Sequence, residues 1–343
     1  MSDPASELPV TIAGTGSYLP EKVLTNADLE LMVETSDDWI TSRTGIKERR
    51  IAAEGEHTSH LATNAARKAL EQANLDPADL KLIIVATITP DTLTPATACY
   101  VQQNLGAFNA AAFDISAACS GFLFAMKIAK RLISSGAFEN ALIVGAEKLS
   151  SFVNWTDRST AVLFGDGAGA AILTRGEEGG GKILATEIGT DGGQTHLLNI
   201  PGGGSACPIT IENADQHLAT LAMLGKEVFK HAVTRMRDSA NQVIERSGLK
   251  AEDIKLVIPH QANGRIIESA ARRLGVDSER VFVNIGQLGN TAAASIPMAI
   301  SYAVFCLKKK TDDVVALTTF GRAAPWRSPV LQPPHPTHPV ATH

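Results

Sequence analysis

The chain has 343 residues, 44% of them hydrophobic and 20% charged, with a formal net charge of -5 at pH 7. That is enough apolar material for one large core or two moderate ones, and it excludes a disordered chain. The longest basic run is Lys308-Lys309-Lys310, which argues against a nucleic-acid partner, and no stretch of about eighteen apolar residues occurs that would span a membrane. The four cysteines, Cys99, Cys119, Cys207 and Cys306, lie far apart with no CxxC spacing, so neither a zinc ribbon nor a disulfide framework is suggested. The acidic N-terminal residues Met1 to Leu8 lack a signal-peptide pattern, and a cytoplasmic protein is expected.

In chain order, Val10-Thr11-Ile12-Ala13 reads as a first strand ended by Gly14-Thr15-Gly16. The GxG is not followed by a third glycine opening a helix, so a structural turn is preferred to a dinucleotide site. Thr25-Asn26-Ala27-Asp28 and Ser36-Asp37-Asp38-Trp39 look like helix N-termini, and Arg43 to Arg50 reads as a basic, exposed stretch. Trp39 and Arg43 fall one turn apart: an aromatic plane beside a planar cation can hold an adenine ring, and spacing alone serves a half-buried Trp with a snorkelling Arg equally well.

Thr58 to Ala73 carries helical apolar spacing, Pro77-Ala78-Asp79 turns the chain, and Leu80 to Thr87 reads as a strand. A matching helix-turn-strand unit recurs 174 residues later, with Asp253 to Ile258 facing Asp79 to Ile84. Phe113-Asp114-Ile115 is echoed by Val281-Phe282-Val283, and Ala141 to Gly145 by Val314 to Leu317. The chain therefore reads as duplicated, two halves of one α/β architecture: 1–175, and 176–331 after a polar, glycine-rich join. Phe164 to Ala170 lacks the Lys-Ser/Thr of a phosphate loop and suggests tight backbone packing instead, and the Pro/His-rich residues 332–343 are expected to form a solvated, disordered tail.

The centre of the first half is Ala117-Ala118-Cys119-Ser120-Gly121. Ala110 to Ile115 reads as a buried strand, and from about Cys119 to Leu132 the residues favour a helix, so Cys119 is placed at a helix N-terminus, where the dipole favours a thiolate nucleophile. An inert core cysteine is the alternative. In the second half His260 stands where a strand ends, and Asn290 at a turn opening a small-residue helix. The duplication sets Asn290 where Cys119 stands in the first half.

Gly14 to Pro20, Thr35 to Trp39, Arg43 to Ile46, Phe164 to Ala170, Pro259-His260-Gln261-Ala262-Asn263 and Gly289-Asn290-Thr291, in that order, resemble the motifs of the β-ketoacyl-acyl-carrier-protein synthase III family. The resemblance covers about residues 10 to 320 and implies a thiolase-like, five-layer αβαβα fold with two mixed sheets. It implies Cys119, His260 and Asn290 as the catalytic set, Trp39, Arg43 and Arg158 near the adenine nucleotide of coenzyme A, no metal or organic cofactor, and a homodimer. The implied reaction is a decarboxylating condensation of an acyl-CoA primer with malonyl-acyl-carrier protein that starts fatty-acid synthesis. Thr94, in a loop that in this family reaches the partner's acyl pocket, is small and is expected to admit longer or branched primers. Arg265, Arg272 and Arg273 share one helix face and are expected to meet the acidic carrier protein.

One segment departs from the family. Where a glycine-rich loop is expected to supply an oxyanion donor, this chain has Gly321-Arg322-Ala323-Ala324-Pro325-Trp326-Arg327. That leaves open a CoA-binding homologue that transfers acyl groups but condenses poorly, or another thiolase-fold condensing enzyme of the hydroxymethylglutaryl-CoA synthase kind. A plain thiolase is disfavoured because Cys207 and Cys306 stand in unsuitable contexts for its second cysteine.

Overall fold

The computed structural model describes residues 8–176, 183–306, 314–320 and 326–331. The tail 332–343, Lys308 to Lys310, the greater part of the polar join, and Gly321 and Ala323 with the rest of the expected oxyanion loop up to Pro325 lie outside the described residues.

The first half runs β1 (Val10–Tyr18), β2 (Lys22–Thr25), α1 (Asn26–Glu30), α2 (Asp37–Thr44), β3 (Glu48–Ile51), α3 (Thr58–Ala73), β4 (Leu82–Ala86) and α4 (Thr97–Leu105). It continues with β5 (Ala111–Ile115), α5 (Gly121–Ser134), β6 (Asn140–Glu147), α6 (Arg158–Ala161) and β7 (Gly167–Arg175). Both expected N-caps are present: Thr25 and Asp28 form a capping box, and the Ser36 hydroxyl accepts from the Trp39 N–H at 3.1 Å.

β1 does not end at Gly14-Thr15-Gly16 but passes straight through. These glycines serve close packing rather than a turn: a Cβ on Gly14 would stand 2.3 Å from the Ala69 carbonyl oxygen, and one on Gly16 2.2 Å from that of Ala65, so α3 lies directly on the strand. The stretch expected to be basic and exposed is corrected at Arg49, which is fully buried in β3. Its guanidinium donates to the carbonyls of Leu24 and Val162 and to Asn26 Oδ1, which keeps the cation solvated inside the protein with no carboxylate partner among the described residues. Burial pulls its pKa down to about 10.

The second half runs β8 (Ile183–Gly189), β9 (Leu198–Asn199), β10 (Ala222–Met223), α7 (Gly225–Arg246), β11 (Ile254–Pro259) and α8 (Gly264–Leu274). Then come α9 (Ile285–Leu288), α10 (Ser295–Cys306), β12 (Val314–Phe320) and β13 (Trp326–Leu331). Each half carries a sheet of its own. The five-stranded sheet has the order β1-β7-β6-β4-β5 and the four-stranded sheet β11-β12-β13-β8, each mixing parallel and antiparallel neighbours. The counterpart of β5 is missing from the second sheet: the Val281 segment makes a single bridge to Val257 and no strand. β5 is also not the buried strand expected. It is the edge of its sheet, with Ala111 and Phe113 exposed.

Helix α3 covers one face of the first sheet, α7 the outer face of the second, and α5 and α10 lie between the two sheets, giving the five layers. The central core is shared. Phe122, Met126, Ile133, Ile296 and Ile300 of the two middle helices pack with Leu82, Ile84, Ile143, Ile258 and Leu317 from both sheets. Among the described residues no helix is long and apolar enough to cross a membrane.

Candidate active site

Cys119 sits in the short 3-10 turn Ala118–Ser120 that precedes α5. The turn is entered through Ala118 at φ 46°, a left-handed conformation that costs an alanine about 1 kcal/mol and persists only where the surroundings hold it. The second half repeats the device at Ala292–Ala294 before α10, with Ala292 at φ 42°. The matched residues are therefore Ala118 and Ala292, again 174 apart, so Ala293 and not Asn290 is the counterpart of Cys119. Asn290 lies three residues before that counterpart.

The two turns meet at the centre of the molecule because the strands behind them are cut back to glycine. A Cβ on Gly145 of β6 would fall 2.2 Å from the Ala293 carbonyl oxygen, and one on Gly169 of β7, its register partner, 2.4 Å from Met298 N. The glycine-rich run Phe164 to Ala170 thus does pack tightly beneath the site, as expected from sequence.

His260 follows the last residue of β11, and its N–H donates to the Thr318 carbonyl of β12 at 2.7 Å. It is 1% exposed, and neither ring nitrogen has a hydrogen-bond partner among the described residues. Burial pushes its pKa down to about 3, so the imidazole is neutral at physiological pH. Asn290 is anchored by its backbone, donating to Leu163 O at 2.8 Å and accepting from Gly165 N at 3.0 Å, while its Oδ1 accepts from Ala292 N at 3.0 Å. With the oxygen holding Ala292 N, Nδ2 has no hydrogen bond among the described residues, and Asn290 lines a cavity.

The thiolate expected at Cys119 is corrected. The thiol is buried, its pKa is pushed up to about 12 first by loss of solvent and then by the negative charge of Glu147, and only the Cys119 backbone N–H opposes this. Desolvation outweighs the helix terminus, and the resting group is a thiol. Glu147, at the end of β6, was not singled out from sequence. It is fully buried and accepts from the hydroxyls of Thr87 and Thr89 and from Ile88 N; burial nevertheless raises its pKa to about 7.

Cys119, His260 and Asn290 line one cavity of about 310 Å³, which also has Trp39 and Arg43 in its wall together with Leu163, Phe164, Met223, Phe229 and Met236. Arg43 Cζ lies 4.8 Å and Arg158 Cζ 4.7 Å from the centre of the Trp39 ring, so an aromatic plane with two exposed guanidinium groups stands on this cavity. Thr94 is not part of its wall and is exposed, next to Leu93 at 90% exposure. Arg265, Arg272 and Arg273 are all exposed on α8: Arg265 stacks over Phe229 at 5.8 Å and Arg272 pairs with Glu268. Asn263, the N-cap of α8, donates to the Arg43 carbonyl at 3.0 Å, tying that helix to α2.

Known proteins resemble the chain in sequence and in fold. The profile described as 3-oxoacyl-[acyl-carrier-protein (ACP)] synthase III matches residues 113–192, and its C-terminal counterpart residues 244–332. The chain is 53% identical over 321 residues to the β-ketoacyl-[acyl-carrier-protein] synthase III of Caldanaerobacter subterraneus subsp. tengcongensis, covering 94% of this chain and 97% of that protein. The crystal structure of 3-oxoacyl-[acyl-carrier-protein] synthase III from Aquifex aeolicus superposes with a TM-score of 0.87 at 49% identity, over 94% of this chain and 99% of that one. The Pseudomonas aeruginosa structure of the same description gives 0.87 at 40% identity, over 96% and 100%.

Proposed function

The chain belongs to the β-ketoacyl-acyl-carrier-protein synthase III family, and from that premise we propose that Cys119, His260 and Asn290 carry out its condensation. It is an acyltransferase that joins an acyl-CoA primer to malonyl-acyl-carrier protein at the start of fatty-acid synthesis. The observation that carries the residue assignment is the neutral, buried histidine with both nitrogens unpartnered among the described residues, set in one cavity with the cysteine and an asparagine amide. The halves 1–175 and 176–331 then contribute the nucleophile and the two donors respectively.

The adenine of the primer stacks at Trp39, its phosphates meet Arg43 and Arg158, and the pantetheine arm follows the cavity down to Cys119. Sulfur attacks the thioester carbonyl and the developing oxyanion is met by the Cys119 N–H at the turn before α5; as it collapses the C–S bond to CoA breaks, and CoA leaves carrying the proton given up by the thiol. The acyl group now waits on sulfur. Malonyl-carrier protein enters next, with Arg265, Arg272 and Arg273 meeting the acidic carrier. As carbon dioxide departs, the electron pair of the broken C–C bond moves onto the thioester as an enolate, held by N–H donors from His260 and Asn290. Its carbon attacks the acyl-enzyme, the C–S bond to Cys119 breaks, and the sulfur regains a proton from solvent. A dry, mostly apolar wall strengthens each of these hydrogen bonds.

Two copies pair through the open edge strand β5, which sets Thr94 against the partner's acyl pocket and accounts for its exposure in a single chain. The test uses radiolabelled acyl-CoA and malonyl-carrier protein. Cys119→Ala should abolish covalent labelling, while His260→Ala and Asn290→Ala should keep labelling and suppress carbon dioxide release. Labelling that survived in the Cys119 variant would overturn the assignment. Carbon dioxide release that does not depend on the primer would favour the reading in which condensation is impaired.

A further inference from the structure

Near its C-terminal end strand β12 carries two consecutive buried hydroxyls, Thr318 and Thr319. As strand neighbours they face opposite ways. The Thr318 hydroxyl donates outward to the Met236 carbonyl of α7 at 3.0 Å, and the Thr319 hydroxyl donates inward to the Cys119 carbonyl at 3.1 Å. Since the Thr318 carbonyl also accepts the His260 N–H, one dipeptide holds the backbone of both the cysteine and the histidine.

The contact falls where the backbone needs holding. The cysteine follows Ala118 in its left-handed conformation, and the carbonyl pinned by Thr319 sets the peptide plane just after the nucleophile. The pseudo-twofold relation sharpens the point. Gly145, 174 residues before Thr319, presses on the Ala293 carbonyl with no side chain at all, as Thr319 reaches the Cys119 carbonyl with a donor. The two halves approach each other's turns in the same way, and the hydroxyl is found only on the side of the nucleophile.

We propose that Thr319 is a positioning residue for the acylation step: its hydrogen bond fixes the Cys119 peptide so that Sγ and the Cys119 N–H are aligned on the thioester carbonyl before the primer arrives. The role rests on Cys119 being the nucleophile and adds to it the group that aims it. Displacing a reacting atom by a fraction of an ångström lowers the rate of its step without weakening substrate binding, so the loss belongs in the acylation rate constant and not in KM.

The experiment compares Thr319→Val, which keeps the shape and removes the donor, with Thr319→Ser, which keeps the donor, and runs Cys119→Ala in parallel. Single-turnover labelling with radioactive acyl-CoA should slow by roughly tenfold in the valine variant, the size expected for losing one buried hydrogen bond from a reacting group. The serine variant should recover to within about threefold, KM for acyl-CoA should hold within about twofold, and carbon dioxide release from malonyl-carrier protein, started on enzyme already acylated, should change less than threefold. Thr319→Ala gives the same readout should the valine variant fail to fold. Unchanged labelling in the valine and alanine variants, with Cys119→Ala silent, overturns the role of Thr319 alone. Equal losses of labelling and carbon dioxide release that serine does not rescue also overturn it, because that is the signature of a structural threonine. Persistent labelling of Cys119→Ala would instead remove the nucleophile assignment beneath it.

Discussion

Adding one methyl group at Gly145 should damage the chemistry more than the fold. A Cβ there would lie 2.2 Å from the Ala293 carbonyl oxygen, 2.8 Å from its carbon and 3.2 Å from Pro297 Cγ, where ordinary contact begins at 3.4 Å. The atoms met are backbone, so no side chain can swing aside. The turn Ala292–Ala294 must retreat by about 1 Å, and Asn290 goes with it because its Oδ1 is held by Ala292 N. Overpacking of this kind costs about 3 kcal/mol at most, a fall in melting temperature of about 4 °C for a chain this long. A 1 Å misplacement of a group that must meet developing charge costs about a hundredfold in rate. Gly145→Ala should therefore melt a few degrees lower and release carbon dioxide from malonyl-carrier protein on the order of a hundred times more slowly, while labelling of Cys119 falls less. Scanning calorimetry and a radiometric decarboxylation assay measure both. A variant with wild-type decarboxylation would refute the claim that this glycine sets the position of Asn290.

Trp39→Ala should raise KM for acyl-CoA about tenfold with little change in kcat, because stacking and two cation–π contacts are lost at a site remote from the bond that breaks; an unchanged KM would count against the adenine platform. Charge reversal at Arg265, Arg272 and Arg273 should raise KM for malonyl-carrier protein alone, and added salt should mimic it. Equal effects on both substrates would dissociate the patch from the carrier. His260 has a folded pKa of about 3 against an ordinary 6.5, so below pH 6.5 the unfolded chain binds a proton that the folded chain refuses until near pH 3. Stability is thus lost as pH falls through that window, about 2 kcal/mol between pH 7 and pH 5, and urea unfolding of His260→Gln should show this much less loss than wild type. In a primer competition the enzyme should accept branched or longer acyl-CoA as well as acetyl-CoA, and strict acetyl preference would show that Thr94 does not open the pocket.

Much of this architecture could be read from residue order, and the parts that could not have a common cause. The offset of 174 residues is a property of sequence and relates the paired turns, although the sequence reading sets Asn290 rather than Ala293 opposite Cys119; the helix starts at Thr25 and Ser36 are local chemistry and lie where capping residues place them. Trp39 and Arg43 could be set one turn apart by counting, but Arg158 reaches the same ring from a distant segment. Arg49 looks like its exposed neighbours until the acceptors of Leu24, Asn26 and Val162 converge on it. Gly14 and Gly16 resemble a turn because the helix that demands their smallness begins some forty residues later. The protonation state of Cys119 escapes the sequence for the same reason. A helix N-terminus is visible in sequence, whereas the depth of burial and the nearness of Glu147 are products of the whole fold.

The shared middle layer bears on how such a protein can fail. α5 and α10 come from different halves, yet they bury Phe122, Met126, Ile296 and Ile300 in one cluster with strands of both sheets. Neither half alone could cover these side chains, so a separated half would expose a broad apolar face and associate with others of its kind. Partial unfolding that spared the proposed catalytic centre has no seam along which to run, since Cys119, His260 and Asn290 stand on turns leading into or facing that same layer. Loss of activity on heating should then coincide with loss of the fold itself, with no inactive but compact state between them.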